Sequence, residues 1–476
     1  MNAQRSTPGD RKTVWNHTFL WTSKHQTAEQ LAPLRDKADD LGVKVVQCLR
    51  SLGPPRRRDL YEALKTNCEN DKTLQDFWAE IHSVPKWVDW PQIERGQKFL
   101  YRYLAPNLVG LALQGFLGGT ATIAGGTEVL VRTGGFSVNV LERRFLETFL
   151  WLLQVTTSLH SIQPGGEGFA STVRVRLLHA TVRHRILGLM DQDPSYFDQA
   201  KYGTPVNLRD AIHATCIFCC MPLFRQLPAI GIQPSADEIA DFVALFRYIA
   251  YLMGTPHESF ASVERAKATM ESVMLCEPEP TEASKAIAMN FIATIQDYPG
   301  INISRAFIET GCRALSGDEL ADTMGFSRPS IFSRIAFRGC CTLLVVMSTL
   351  QQWIPAFDRL MIQKSKQLVG SIMTLQGEKF EYKHVPRLDK FTQREDKKRC
   401  SPSRFRPVET IGFIVVAGQV SMYAIPWGVV GCIAYQLGFW LYYGRKTALV
   451  SAYQLDFSSA SQLKISVGQS SKLQKF

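Results

Sequence analysis

Residues 172–187, TVRVRLLHATVRHRIL, carry four arginines and two histidines in a stretch whose leucines and valines recur at helical spacing. Helical periodicity puts Arg176, His179, Ala180 and Arg183 on one side, while Leu177, Leu178, Val182 and Ile186 occupy much of the remainder. Such a helix cannot be packed by apolar neighbours all round, because a guanidinium buried without an acid or carbonyl partner is costly. Any fold for this chain must therefore bring polar groups to the Arg176 side. In one reading the arginines pair with acids such as Glu142 or Glu147, and His179 is a satisfied core histidine. In the other, the side lines a pocket for an anionic or oxygen-rich group.

Helical signals dominate the rest of the chain. Over residues 1–80, segments such as TAEQLAPLRDKADDLGVKVVQCLRSL have apolar residues three and four apart, which predicts amphipathic helices covering a core that begins later. Asn207 stands as an N-cap with Asp210 at N3, and Ser235 and Glu238 have capping-box spacing. Residues 106–131 are long and apolar enough to equal a membrane span in length. Their two Gly-Gly pairs instead predict short buried helices that approach closely. Strand-like alternation is scarce, so the expected class is all-α.

Expected segments are a helical cover over 1–80, a catalytic core over 81–385, a charged linker over 386–409, an uncharged apolar run over 410–444 and a polar tail over 445–476. The run over 410–444 meets the length criterion for a bilayer, and its Trp and Tyr content suits an interfacial position. Membrane association of some kind is expected there, whether spanning, re-entrant or surface-lying, the alternative being an apolar C-terminal cap on the core.

Lysine and arginine number 54 against 43 aspartates and glutamates, a formal charge of +11. The excess forms no recognition helix or aromatic-studded stripe, which argues against nucleic acid and for an anionic membrane face. Eleven cysteines, mostly in apolar stretches, fit reduced thiols in an intracellular compartment. No secretory h-region opens the chain.

A second candidate site is DAIHATCIFCC, where His213 lies mid-helix with Cys216 and Cys220 on its side. A buried neutral imidazole on a rigid apolar helix suits an axial ligand of haem iron, or is a plain core histidine beside small thiols. A thiolate metal centre lacks a second ligand pair. No P-loop, GxSxG, HExxH or Rossmann glycine signature occurs, and no motif supports a hydrolase or cyclase built on Asp210 or Glu167.

The ordered set WVDWPQIERGQKFLYRYLAP, LVRTGGFSVNVLERRFLETF, RVRLLHATVRHRIL, YGTPVNLRDAIHATCIF and RYIAYLMGTPHESF resembles the family that joins latex-clearing proteins (rubber oxygenases) with the ER-bound oxygenase of fungal mycophenolic acid biosynthesis, over about residues 80–370. The resemblance implies an oxidoreductase with an all-helical, globin-like core and one b-type haem. It also implies cleavage of an isoprenoid C=C bond by dioxygen, in secondary metabolism of a terpenoid kind. By position His213 matches the proximal iron ligand, and Arg176 the arginine near the haem pocket, where it would stabilise bound dioxygen or hold a propionate. Rubber oxygenases have a Lys-Thr pair where this chain has His179 and Ala180, which makes His179 a candidate cap on the iron. The partners implied are an apolar small molecule, dioxygen and an endoplasmic reticulum membrane. The rival is a haem-free helical membrane scaffold or small transporter, resting on the apolar stretches 106–131 and 410–444.

Overall fold

The arginine-rich stretch lies inside a 24-residue helix, Glu167–Met190, and the helices before and after it pack around that rod. The computed structural model describes residues 7–52, 59–119, 122–276, 280–298, 302–374 and 406–422. In chain order the elements used below are strands β1 (Arg11–Val14) and β2 (His17–Leu20), then helices α1 (Asp40–Ser51), α2 (Leu60–Asn67), α3 (Lys72–His82) and α4 (Trp90–Arg102). They continue as α5 (Leu104–Gly110), a π-helical turn (Leu111–Gly119), α6 (Ala124–Arg132), α7 (Val138–Thr156), α8 (Glu167–Met190), α9 (Leu208–Phe218) and α10 (Ala236–Leu252). The last are α11 (Val263–Cys276), α12 (Glu282–Ile295), α13 (Arg305–Ser316), α14 (Ile331–Trp353), α15 (Pro355–Thr374) and α16 (Pro407–Met422).

Helices account for 74% of the described residues, so the fold is all-α, with the short antiparallel hairpin β1–β2 as the strand pair among them. That hairpin corrects the expectation of helices alone in the N-terminal cover. Its four-residue strands are too short for periodicity to reveal, and tertiary contacts hold it: His17 and His25 each bring Nε2 to the buried Glu271, at 2.9 and 3.0 Å.

Local chemistry sets the helix starts. The Asn207 side chain accepts from Asp210 N at 2.9 Å, and Ser235 and Glu238 close a reciprocal capping box. Asp39, Asp59, Asp71 and Asp89 cap α1 to α4 in the same manner. Once formed, α8 is flanked by α7, α1, α2 and α10, while α4 lies closely along α10. That approach needs Gly96, since a Cβ there would sit 2.4 Å from the Asp241 carbonyl oxygen.

The glycine-rich stretch 106–131 is largely buried and divides into α5, the π-helical turn and α6, with a 93° bend before α6. The π-helical turn packs against α13, α12 and α9, and a Cβ on Gly119 would stand 3.3 Å from Ile217 and Met221. Residues 7–412 fall in one compact unit, so the cover and the helices after residue 80 share a core. A second unit begins at Phe413, of which residues 413–422 are described, as the end of α16. Most of the charged linker and of the apolar run, and all of the polar tail, lie outside the described residues.

Candidate functional site

Arg176 is 3% exposed and saturated by carboxylates. Its Nε and Nη2 donate to Asp39 Oδ2 and Oδ1 at 2.8 and 2.9 Å, and Nη1 donates to Glu80 Oε1 at 2.7 Å. The Phe77 ring lies below, 4.5 Å from the guanidinium carbon. Burial works against the charge, yet the two acids outweigh it and hold the Arg176 pKa above its ordinary value. The space is made by Gly254, just after α10: its φ is +67°, and a Cβ there would stand 2.7 Å from Arg176 Nε.

The partners expected from sequence are thus corrected. Glu147 pairs with Arg143 and Arg144 one turn away on its own helix, and Glu142 accepts from the Tyr298 hydroxyl. Both sit on α7, whereas the Arg176 side of α8 is turned to α1 and α3.

Two turns on, Arg183 is also buried, with main-chain partners. It donates to the carbonyls of Pro205 at 3.0 Å, Val206 at 2.5 Å and Asp39 at 3.2 Å. Val206 has φ +54°, a conformation a β-branched residue rarely adopts. The Arg183 bond clamps it immediately before the Asn207 cap. Through this clamp α8, which bears His179, fixes the start of α9, which bears His213.

The two histidines have different surroundings. His213 is wholly enclosed, Cys216 on α9 and Cys220 just past its end are buried too, and burial raises the pKa of both thiols well above the ordinary range. The Cys220 thiol reaches the Ala266 carbonyl of α11. His179 is partly accessible although protein surrounds it. Desolvation first, then the cations of Arg183 and Arg144, lower its pKa to about 4 against the pull of Asp39, so the imidazole is neutral at physiological pH.

Leu178, Thr181, Val182, Arg185 and Ile186 of α8 line a cavity of about 70 Å³ with Thr133 and Tyr196, and His179 is not part of its lining. Thr181 Oγ1 has no hydrogen-bond partner among the described residues. An apolar cleft of about 10 Å³ lies elsewhere, among Leu100, Leu104, Phe149, Leu152, Phe218 and Phe242. It begins beyond His213 on α9, at Phe218.

A haem would ask for a neutral imidazole, an apolar flank and cations for its carboxylates. His179 meets the first of these demands as a neutral ring, and Leu178 beside it on α8 is apolar; Arg144 and Arg183, whose charges reach the ring, are held by Glu147 and by main-chain carbonyls. The cavity as it stands is smaller than a porphyrin, so occupancy requires it to widen. Among the described residues no cluster of three or more His, Cys, Asp or Glu is placed to hold a bare metal ion.

Residues 101–346 match the family described as ER-bound oxygenase mpaB/B'/Rubber oxygenase, catalytic domain, and so include α8 and α9 whole. The chain belongs to this family. Its members are oxygenases, a class of oxidoreductase. A rubber oxygenase of Streptomyces sp. (strain K30) is 21% identical over 271 residues, covering 55% of this chain and 62% of the relative. The chain thus aligns with about three-fifths of that relative's length. A solved structure of latex clearing protein in the closed state superposes with TM-score 0.53 at 15% identity, covering 71% of this chain and 91% of that one, and so shares the family's helical fold. Sequence reasoning missed Asp39, Glu80 and Gly254. The family-like stretch RYIAYLMGTPHESF contains Gly254 and was the available signal for it.

Proposed function

We propose that this family member is a haem b-dependent oxygenase that cleaves a C=C bond of an apolar, isoprenoid-type metabolite in specialised metabolism. The observation that carries the reading is the family match across residues 101–346, which spans both candidate imidazoles. Bound haem would supply the dioxygen chemistry, and the protein would supply ligation, access and polarity. Within 81–385, the proposed catalytic part, His179 offers an imidazole that is neutral and partly accessible. His213 is the iron ligand named by position in the family. His213 is fully enclosed, whereas His179 keeps some accessible surface, so His179 is the ring reached with less repacking.

Arg176 acts in this reading as a positioning residue. Asp39 and Glu80 occupy its nitrogens, so contact with dioxygen or a propionate would require it to release one of them. Arg144 and Arg183 are the cations whose charge reaches His179, although Arg144 is paired with Glu147 and Arg183 donates to main-chain carbonyls. An apolar substrate collects in lipid, which gives purpose to the uncharged run 410–444 as an intracellular membrane anchor, at the endoplasmic reticulum in the family's manner.

The test is the visible spectrum of protein purified from haem-replete cells. A Soret band that shifts when carbon monoxide is added after reduction supports the reading. Colourless protein would overturn it in favour of the haem-free membrane scaffold.

A further inference from the structure

We infer that the outward side of α14, with the corner that leads into α15, is a docking surface for an anionic bilayer on which the protein lies. Among the described residues α14 is the single unbroken helix long and apolar enough to cross a membrane, yet its other side is committed to the protein. Ser333, Ala336, Phe337, Gly339, Ser348 and Gln351 are buried against the core, where α14 packs on α13 and α15. Gly339 meets the α16 backbone so closely that a Cβ would overlap the Gly412 carbonyl. A helix held so along one side can rest on a membrane but cannot be surrounded by it.

The outward side repeats at helical spacing through Ile331, Ile335, Arg338, Thr342, Val346, Thr349 and Trp353, a strip roughly 30 Å long. Ile331 is 76% exposed and Trp353 81%, and Val346, Ile354 and Leu360 are also exposed. Isolated exposed apolar residues are ordinary, but a tryptophan presented at a corner between aliphatic neighbours is the amphipathic group that settles at a headgroup boundary.

Charge identifies the occupant. Between residues 331 and 374 the chain carries one carboxylate, Asp358. It is turned inward, where Arg102 Nε and Nη2 donate to it at 3.0 and 2.6 Å. Arg334, Arg338, Arg359 and Lys364 are exposed and form no ion pair among the described residues. An apolar strip flanked by cations, with no accessible acid of its own between residues 331 and 374, complements anionic lipid. The corner also adjoins the apolar cleft: Gln352 donates to the Tyr103 hydroxyl at 2.8 Å, and the next residue, Leu104, lines that cleft.

This inference rests on the membrane reading above and is independent of haem. Flotation of the full chain with phosphatidylcholine vesicles, with and without phosphatidylserine, tests it. Wild type is expected to float with the phosphatidylserine vesicles. The triple change Ile331→Ser, Val346→Ser, Trp353→Ser should lower the partition coefficient about tenfold. Arg334→Glu with Arg338→Glu should abolish the preference for phosphatidylserine. The changed side chains are exposed, and circular dichroism verifies that each variant is folded. Flotation of the triple variant equal to wild type would overturn this surface and leave the anchor 410–444 standing. Failure of wild type to float would overturn both. A lipid-free dimer that the triple variant dissociates would assign the strip to a second copy of the chain and overturn the bilayer.

Discussion

Asp39 receives Arg176 through both carboxylate oxygens, at 2.8 and 2.9 Å, and with Oδ1 also accepts from the Gly42 amide that opens α1. One carboxylate thus caps a helix of the N-terminal segment and neutralises a cation deep in α8. Removing Arg176 takes the cation from Asp39, and removing Asp39 leaves the buried guanidinium with Glu80 as its one carboxylate. Arg176→Ala and Asp39→Ala should each cost about 3–5 kcal/mol, and the double variant clearly less than their sum. Urea unfolding of the four proteins in the cycle checks this, and additive losses would contradict the pairing.

The same contact bears on the segment before residue 81. Asp39 and Glu80, the two acids on Arg176, both lie there. Protein beginning at residue 81 should therefore fail to give a cooperative thermal transition. A sharp transition from that fragment would show that the later helices stand alone.

His179 should make stability depend on pH. Its folded pKa is lowered to about 4, whereas an unfolded histidine titrates near 6.5. As pH falls from about 6.5 to 4 the unfolded chain takes up a proton that the folded chain refuses, so stability declines across that window, by up to about 3 kcal/mol. His179→Gln should flatten the slope of melting temperature against pH there, and an unchanged slope would refute the buried neutral ring.

Ligation is separable from activity. In haem-reconstituted protein, His179→Ala should lower occupancy and shift the Soret band. If His213→Ala alone empties the protein, with His179→Ala unaltered, the imidazole on α9 is the ligand, as family position suggests.

Gly96 is a test of packing alone. A methyl group there would meet the Asp241 carbonyl at 2.4 Å, which α4 and α10 relieve only by moving apart. Gly96→Ala should cost about 1–3 kcal/mol, measured by denaturant midpoint.

Much of this molecule was legible locally. The Asn207 cap and the Ser235–Glu238 box need only neighbours three residues away, and helical periodicity operates over a few turns. The ordered motifs carried the family as well. Periodicity could also say that the Arg176 side of α8 must meet polar groups, because burying an unpaired guanidinium costs too much. It could not name them: Asp39 and Glu80 lie 137 and 96 residues away, and the nearer Glu142 and Glu147 belong to a helix that meets a different side.

The sequence likewise put His213 forward as the axial ligand and His179 as a residue of the arginine-rich side. How far each imidazole is enclosed depends on how α7, α9 and α11 pack, a sum of contacts remote in sequence. Composition and pattern therefore determined the helical class, the helix starts and the need for buried acids. Tertiary packing decided which acids answered, which histidine stayed accessible and which side of α14 was left bare, because those outcomes depend on distances between residues far apart along the chain.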